Sequence, residues 1–300
     1  MKWKKWIAAV MVPMLFLYLI GNWNGQSKAQ AKTQTTAEEK VLENALKMLG
    51  NAESVHTSLA MDMEVKVFWL KTGFEASMDT VSFRSPLKLK SQAGLDLGFL
   101  GDVNRETYVI EQDGGYQLLR KAKDGWNTQE ITESQLYKYD GRQTMQVFLE
   151  QIEELKAAGT GKVDGKKARK YTGVVDGAGL EKILIDTGSL ETLSILFQDS
   201  MLSSLGTFLE REEEIGELLK TAGELEMWLW IDAKTGYPLQ CSMDVTEMMG
   251  DAYKQICSEV ASGGKEAEKD LLSRIEITET KIVMKCSDFN EAEEFVVPGI

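Results

Sequence analysis

The feature that most constrains this chain is a hairpin written into Glu224 to Met249. Leu225, Met227, Leu229 and Ile231 alternate with Glu226, Trp228, Trp230 and Asp232, and Leu239, Cys241, Met243 and Val245 repeat the alternation. Residues two apart share a face of a strand, so each run presents one apolar side. Asp232-Ala233-Lys234-Thr235-Gly236 lies between them, and Gly236 can take a positive φ without steric cost. Two strands alone are marginally stable. The hairpin therefore predicts a larger antiparallel sheet with one face on a core.

The rest of the chain supplies that sheet. Leu59, Met61, Met63, Val65, Val67 and Trp69 alternate with polar residues in the cleanest strand pattern present. Thr72-Gly73 turns the chain toward Phe74, Ala76 and Met78. The parity changes near Thr80, where Val81 and Phe83 continue, which predicts a β-bulge. Pro86 opens a strand through Leu87 and Leu89. Tyr108–Glu111, Tyr116–Arg120 and Trp126–Ile131 follow, separated by the Asp113-Gly114 and Asp124-Gly125 hairpin signals. Lys166–Val175 and Ile275–Ser287 complete the strands.

Helices are read at four places. One follows Thr36, whose spacing to Glu39 suits a capping box, and carries Val41, Leu42, Ala45, Leu46 and Leu49 on one stripe. A second is expected over Gln143–Ala158 and a short one over Asp251–Ser262. The long region Gly179–Ala222 is unusually apolar around Leu193–Leu209 before the charged run Glu210–Glu214. Such a surface must dock deeply, cover a cavity or meet a membrane. Strands, then helices, then strands predict one α+β domain over residues 36–300, with helices on one face of the sheet.

Residues 1–31 read as a signal peptide or an N-terminal membrane anchor. Lys2, Lys4 and Lys5 precede a 14-residue apolar run, Ile7 to Ile20, short for a membrane span, and Ala29-Gln30-Ala31 matches a cleavage site. Residues 32–35 form a polar linker. The expected location is extracytoplasmic, either secreted or tethered to the outer face of the cytoplasmic membrane. The net charge is −13, and it becomes −17 once the four lysines of residues 1–31 are removed. That charge excludes polyanions such as nucleic acid as favoured partners, and leaves membrane contact to the N-terminal segment.

Catalytic signals are missing from the sequence. There is no G-x-S-x-G, P-loop or H-E-x-x-H pattern, and His56 is the only histidine. Cys241, Cys257 and Cys286 lack metal-ligand spacing. Cys241 and Cys286 fall on apolar strand faces, either as reduced thiols or as a bridge. No metal, cofactor or catalytic residue is expected. Two features point to binding. Met61, Met63, Met78, Met227, Met243 and Met284 all lie on apolar strand faces, as adaptable ligand surface or as plain core. Trp228 and Trp230 lie on the opposite face of their strand.

The order of the motifs carries a resemblance. ALKMLGNAESVHTS precedes MDMEVKV, then come YVIEQDGGYQLLRKAKDGW, MWLWIDAKTGYPLQCSMDVTEMM and IVMKCSDFNEAEEFVVP. Together they resemble exported proteins of Gram-positive bacteria similar to the LolA/LppX-type lipoprotein-carrier superfamily. The most specific parts are Trp230, Asp232, Thr235, Gly236 and Pro238 of the hairpin, and the closing strand. The resemblance implies a curved antiparallel β-sheet, a half-barrel, with helices packed on its concave face and a lipid held between. This chain departs from it by lacking a lipobox cysteine and by the long helical insert at about 180–222. With the Met-rich faces, it implies a ligand site formed by Met61, Met63, Val65 and Met78 on the first strands. Met227, Leu229, Met243 and Val245 would contribute from the hairpin, and Leu193, Phe197 and Met201 from the helix. The expected function is non-catalytic binding of a lipid, acyl chain or other hydrophobic ligand. The alternative is a cell-envelope protein–protein adaptor that uses the same fold as a scaffold and recognises an envelope protein partner through Trp228 or Trp230.

Overall fold

The computed structural model describes residues 37–67, 70–98, 101–122, 125–199, 210, 212–220, 223–250 and 275–299. The leader, the linker, Thr36, Trp69, Met201, Cys257 and the expected helix at 251–262 lie outside the described residues.

Eleven strands among the described residues form one antiparallel sheet. They are β1 (Ser54–Val67), β2 (Leu70–Arg84), β3 (Leu87–Asp96), β4 (Asp102–Gln112), β5 (Gly115–Ala122), β6 (Gly125–Ile131), β7 (Glu153–Val163), β8 (Lys166–Val175), β9 (Leu225–Asp232), β10 (Pro238–Asp244) and β11 (Ile275–Ser287). Their order across the sheet is β6-β5-β4-β3-β2-β1-β11-β10-β9-β8-β7. The first and last strands meet in the middle, and the edge strands β6 and β7 are consecutive in sequence. The connection between them, residues 132–152, must therefore cross a whole face. A sheet this wide curls under the right-handed twist of its strands, and the crossing segment fills the hollow.

The helices are α1 (Ala37–Gly50), α2 (Glu133–Leu136), α3 (Gly141–Glu150), α4 (Gly177–Ile185), α5 (Ser189–Gln198) and α6 (Glu212–Leu219). α3 lies on β1, β2 and β11, α5 lies on β3 and β4, and α4 touches α3, α5, α6 and β8. One continuous core joins the sheet to these helices: Met63, Val65, Met227, Leu229, Met243 and Met284 from strands, Ala45, Leu49, Met145, Phe148, Leu180 and Ile183 from helices. This is the curved sheet with helices on one face that the sequence implies. The outer face carries smaller apolar groups. Tyr108, Ile110 and Leu119 are covered there by Phe295 and Val297 of the C-terminal tail.

Turn chemistry sets the hairpins. Asp113 and Gly114 have φ of 54° and 79°, and Asp164 and Gly165 of 46° and 84°. Both central residues lie in the left-handed region, as a two-residue hairpin of this twist requires. In the β9–β10 turn Asp232 Oδ1 accepts from the backbone N–H of Lys234 and Thr235 at 2.7 and 2.8 Å.

Four local expectations are corrected. No bulge occurs at Thr80: β1 and β2 pair in unbroken register from Ser54↔Phe83 to Val67↔Leu70. The parity of polarity changes because Thr80 and Ser82 face inward, buried, and Ser82 donates to Asp140 at 2.9 Å. Second, the helix expected over Gln143–Ala158 ends at Glu150, and Leu155 belongs to β7. That edge strand is exposed along nearly its whole length and broken by register shifts near Glu154 and Gly159, so it lacks an alternating apolar signal. Third, the long helical region is divided. α4 stops at Ile185 and α5 starts at Ser189, with Gly188 at φ 68° between them, where a Cβ would lie 2.6 Å from Lys138 Cβ. β10 also ends at Asp244, so Val245 follows the strand and does not extend it.

Candidate functional site

α3 is seated by a buried polar cluster. Asp140 caps its first turn, accepting from Arg142 N at 3.0 Å and from Ser82 Oγ at 2.9 Å. Arg142 Nη2 faces Asp140 Oδ2 at 3.4 Å, and Nη1 donates to Ala52 O at 3.0 Å. These groups fix one end of the helix against β1 and β2, and they leave few polar groups unsatisfied inside.

Beyond α3 the seating changes character. A cavity of about 50 Å³ lies between the inner sheet face and α4 and α5. Leu59 and Met61 of β1, Ala76 and Met78 of β2, and Ile282 of β11 form its floor. Phe148, Ile183, Leu184, Leu193 and Leu196 form its roof. Leu59, Met61, Leu184 and Leu193 are only partly buried, although each is packed on the main core.

A second cavity of about 30 Å³ continues under α5 on the far side of Met78 and Leu196, which line both. Its walls are mixed, with polar and charged groups set among Met78, Ala93, Ile195 and Leu196. They include Ser91, Thr107, Thr192, Tyr139 and two arginines, Arg105 and Arg120. Arg105 is held by Asp199 at the C-terminal end of α5, with N···O distances of 2.5 and 2.6 Å. Arg120 Nη2 donates to the Tyr139 hydroxyl at 2.5 Å. Burial raises the Tyr139 phenol above its ordinary pKa, with the Arg120 charge working against that rise.

In the other direction along β2 an open bowl of about 510 Å³ surrounds Met63 and Phe74. Asp62, Glu64, Glu75, Asp96 and Glu279 line it, with Lys71 paired to Glu64 at 2.6 Å. The inner face thus runs from Met63 and Phe74, over an apolar floor, to an arginine-bearing end, while Asp62, Glu64, Glu75, Asp96 and Glu279 alternate with the inward residues and belong to the outer face.

The residues expected from sequence to bind a ligand divide into three groups. Met61, Met78 and Leu193 come together around the apolar cavity. Val65, Met227, Leu229, Met243 and Val245 are 0–2 % exposed and packed into the core, and Met63 sits at the edge of the acidic bowl. Phe197 belongs to α5, and its side chain, like Met201, is outside the description. Sequence reading missed the Arg105, Arg120 and Tyr139 group. One signal was present: Arg120 shares strand parity with the inward-facing Leu118, so its place on an apolar face is itself informative.

Other expectations are located as follows. Cys241 and Cys286 are buried free thiols, and burial raises both above the ordinary thiol range. His56 lies outside this site, between Asp79 at 3.4 Å and Asp288 at 3.7 Å. Trp228 and Trp230 are half-buried on the outer face, with Lys170 Nζ 3.6 Å from the Trp228 ring centroid. Among the described residues no cluster of three or more His, Cys, Asp or Glu side chains is placed to hold a metal ion. Among them, too, no helix is long and apolar enough to cross a membrane.

Neither a protein-family model nor a curated protein matches the chain. Solved structures do. LprF from Mycobacterium bovis aligns at a TM-score of 0.45 and 13% identity, covering 86% of this chain and 95% of that one. The lipoprotein LppX of Mycobacterium tuberculosis aligns at 0.43 and 14%, covering 86% and 99%. A LolA superfamily protein from Nitrosomonas europaea aligns at 0.24 and 9%, covering 87% and 96%. The chain thus resembles the LolA/LppX-type structures, at low identity and low TM-score, as its hairpin and closing-strand motifs imply.

Proposed function

We propose that this is an extracytoplasmic, non-catalytic binding protein for a lipid or acyl chain, held between the inner sheet face and α5. One observation carries the reading: the apolar cavity whose floor is Leu59, Met61 and Met78 and whose roof is Leu193 and Leu196. Its side chains are those that a core would bury completely, yet several stay partly exposed. An acyl chain entering there gains about 0.8 kcal/mol per buried CH₂. The present volume of about 50 Å³ is far below the roughly 300 Å³ usual for a ligand site. Binding therefore requires α5 to move away from β3 and β4, which joins the two cavities beneath it.

The test is to purify the protein from its host and identify bound lipid by mass spectrometry, alongside titration with a fluorescent acyl probe. Co-purifying lipid, and probe binding that Leu193→Trp weakens tenfold or more by filling the cavity, support the proposal. No lipid and no probe binding would overturn it.

The outer-face group of Trp228, Lys170 and Trp230 favours a second reading, an adaptor that docks an envelope protein there. That reading predicts cross-links from Trp228-adjacent positions on intact cells, lost when both tryptophans become alanine.

A further inference from the structure

The two cavities under α5 differ in chemistry, and the difference bears on what the ligand carries at its end. Arg120 projects from β5 onto the inner face, half-buried. Its guanidinium meets the Tyr139 hydroxyl oxygen, and no carboxylate partners it among the described residues. The two carboxylates of this region are engaged elsewhere: Asp199 by Arg105, and Glu191 by Lys138 at 2.8 Å. Tyr139 accepts from Arg120, so its own O–H proton still has no acceptor among the described residues. A cation and a hydroxyl donor thus converge on a small space that only Met78, Thr192 and Leu196, which line both cavities, separate from the one over the apolar floor. A half-buried guanidinium without a counter-charge is costly, and an oxyanion would relieve that cost.

We infer that the ligand is an amphiphile with an anionic headgroup, its oxyanion held by Arg120 and the Tyr139 hydroxyl and its acyl chain lying over Met78, Met61 and Leu193. Arg105 stands beside this subsite and exchanges or shares Asp199 when α5 lifts. The assignment rests on the acyl-chain reading above and adds polarity and direction to it: head toward β5, tail toward β1.

The experiment is calorimetric titration of the full-length protein with dodecanoate, dodecanol and dodecyltrimethylammonium, each below its aggregation concentration, with sodium acetate as the headgroup-only control. Dodecanoate is expected to bind tenfold to a hundredfold tighter than dodecanol, the range that a charge-assisted hydrogen bond supplies. The cationic amphiphile should bind weakest and acetate negligibly. R120Q should bring dodecanoate down to the dodecanol level while leaving dodecanol unchanged, and Y139F should cost a smaller factor. R120K, which keeps the charge, should retain part of the preference. Equal binding of dodecanoate and dodecanol, or a preference indifferent to R120Q, overturns the headgroup assignment and leaves the acyl-chain reading intact. Binding by none of the three amphiphiles overturns both. Acetate as strong as dodecanoate overturns the amphiphile in favour of a free anion.

Discussion

Removing Asp140 isolates the group that seats α3. Its carboxylate accepts three hydrogen bonds, from Ser82 Oγ, Arg142 N and the Arg142 guanidinium, and the Asp140 and Arg142 side chains are at most 7 % exposed. Asp140→Ala deletes an N-cap, worth about 1 kcal/mol. It also strands Arg142 in the core, and breaking a buried pair from one side costs about 3–5 kcal/mol. The terms overlap, because the same oxygen serves Ser82 and the helix N-terminus. A total of about 4 kcal/mol is expected, a large share of the roughly 5–15 kcal/mol that holds a typical protein folded. Urea unfolding followed by tryptophan fluorescence measures it. Asp140→Asn, which keeps the shape and part of the cap, should cost less. The double variant Asp140→Leu/Arg142→Met should recover much of the loss, since a packed apolar pair leaves no stranded charge. A loss below 1 kcal/mol for Asp140→Ala would refute the claim that this cluster anchors the crossing segment.

Further outcomes follow from single sites. The hydrogen bond that His56 donates to the Asp79 carboxylate raises its pKa above 6.5, against a desolvation that lowers it, with the Asp79 and Asp288 charges adding to the rise. A raised folded pKa gives stability that is full below about pH 6.5 and lost as pH rises through the folded value. The thermal midpoint should therefore fall between pH 6 and 8, and His56→Gln should remove that slope. In a Cys257→Ser background neither remaining thiol should react with a disulfide reagent until the protein is unfolded, when two should titrate, because Cys241 and Cys286 are fully buried with raised pKa values. Gly141→Ala should destabilise strongly, by about 3 kcal/mol or more on the scale of overpacked cores, since its Cβ would lie 1.8 Å from Thr57 Oγ1. Thr57→Ala should restore part of that loss.

What was legible in the sequence is what alternation can encode. β1, β9 and β10 each bury one face and leave the other partly open, so their period of two is visible in the sequence. The Asp-Gly pairs mark hairpins because few residues accept their backbone. Legibility fails where burial and polarity separate. β7 is an edge with no buried face, so Leu155 and Ala157–Ala158 read as a continuing helix. Thr80 and Ser82 face inward but are polar: a capping carboxylate 58 positions further on accepts from Ser82, and Thr80 Oγ1 donates to Ser91 Oγ on the neighbouring strand. The same separation hid the candidate headgroup site. Arg120 occupies an inward position, and only the fold shows that Arg105 and Tyr139 converge on it. The methionine faces were readable as apolar, but which of them packs completely and which borders space depends on where the helices stop. Met243 and Met61 share one sequence signature, yet Met243 is buried in the core and Met61 borders the cavity.

The two covers over the inner face are held by different physics, and that fixes which can open. α3 is pinned by the buried Asp140–Arg142 pair and by the close approach of Gly141 to Thr57. Such contacts are directional and are lost all at once. α5 is held by apolar contact and by two ion pairs, Lys138–Glu191 and Arg105–Asp199, whose side chains are about a third exposed. Exposed pairs of that kind contribute about 0–1 kcal/mol each and weaken with salt. Opening at α5 also leaves every strand pairing intact, because the segment Gly177–Leu219 leaves β8 and returns to its neighbour β9. Opening at α3 would pull on the only connection that joins the two edges of the sheet. Amide hydrogen exchange should therefore show α5 exchanging at least tenfold faster than α3, with the gap widening as salt rises. Equal protection of the two helices would mean that α5 is not the element that admits a ligand, and the cavities beneath it would then be packing defects of an ordinary core.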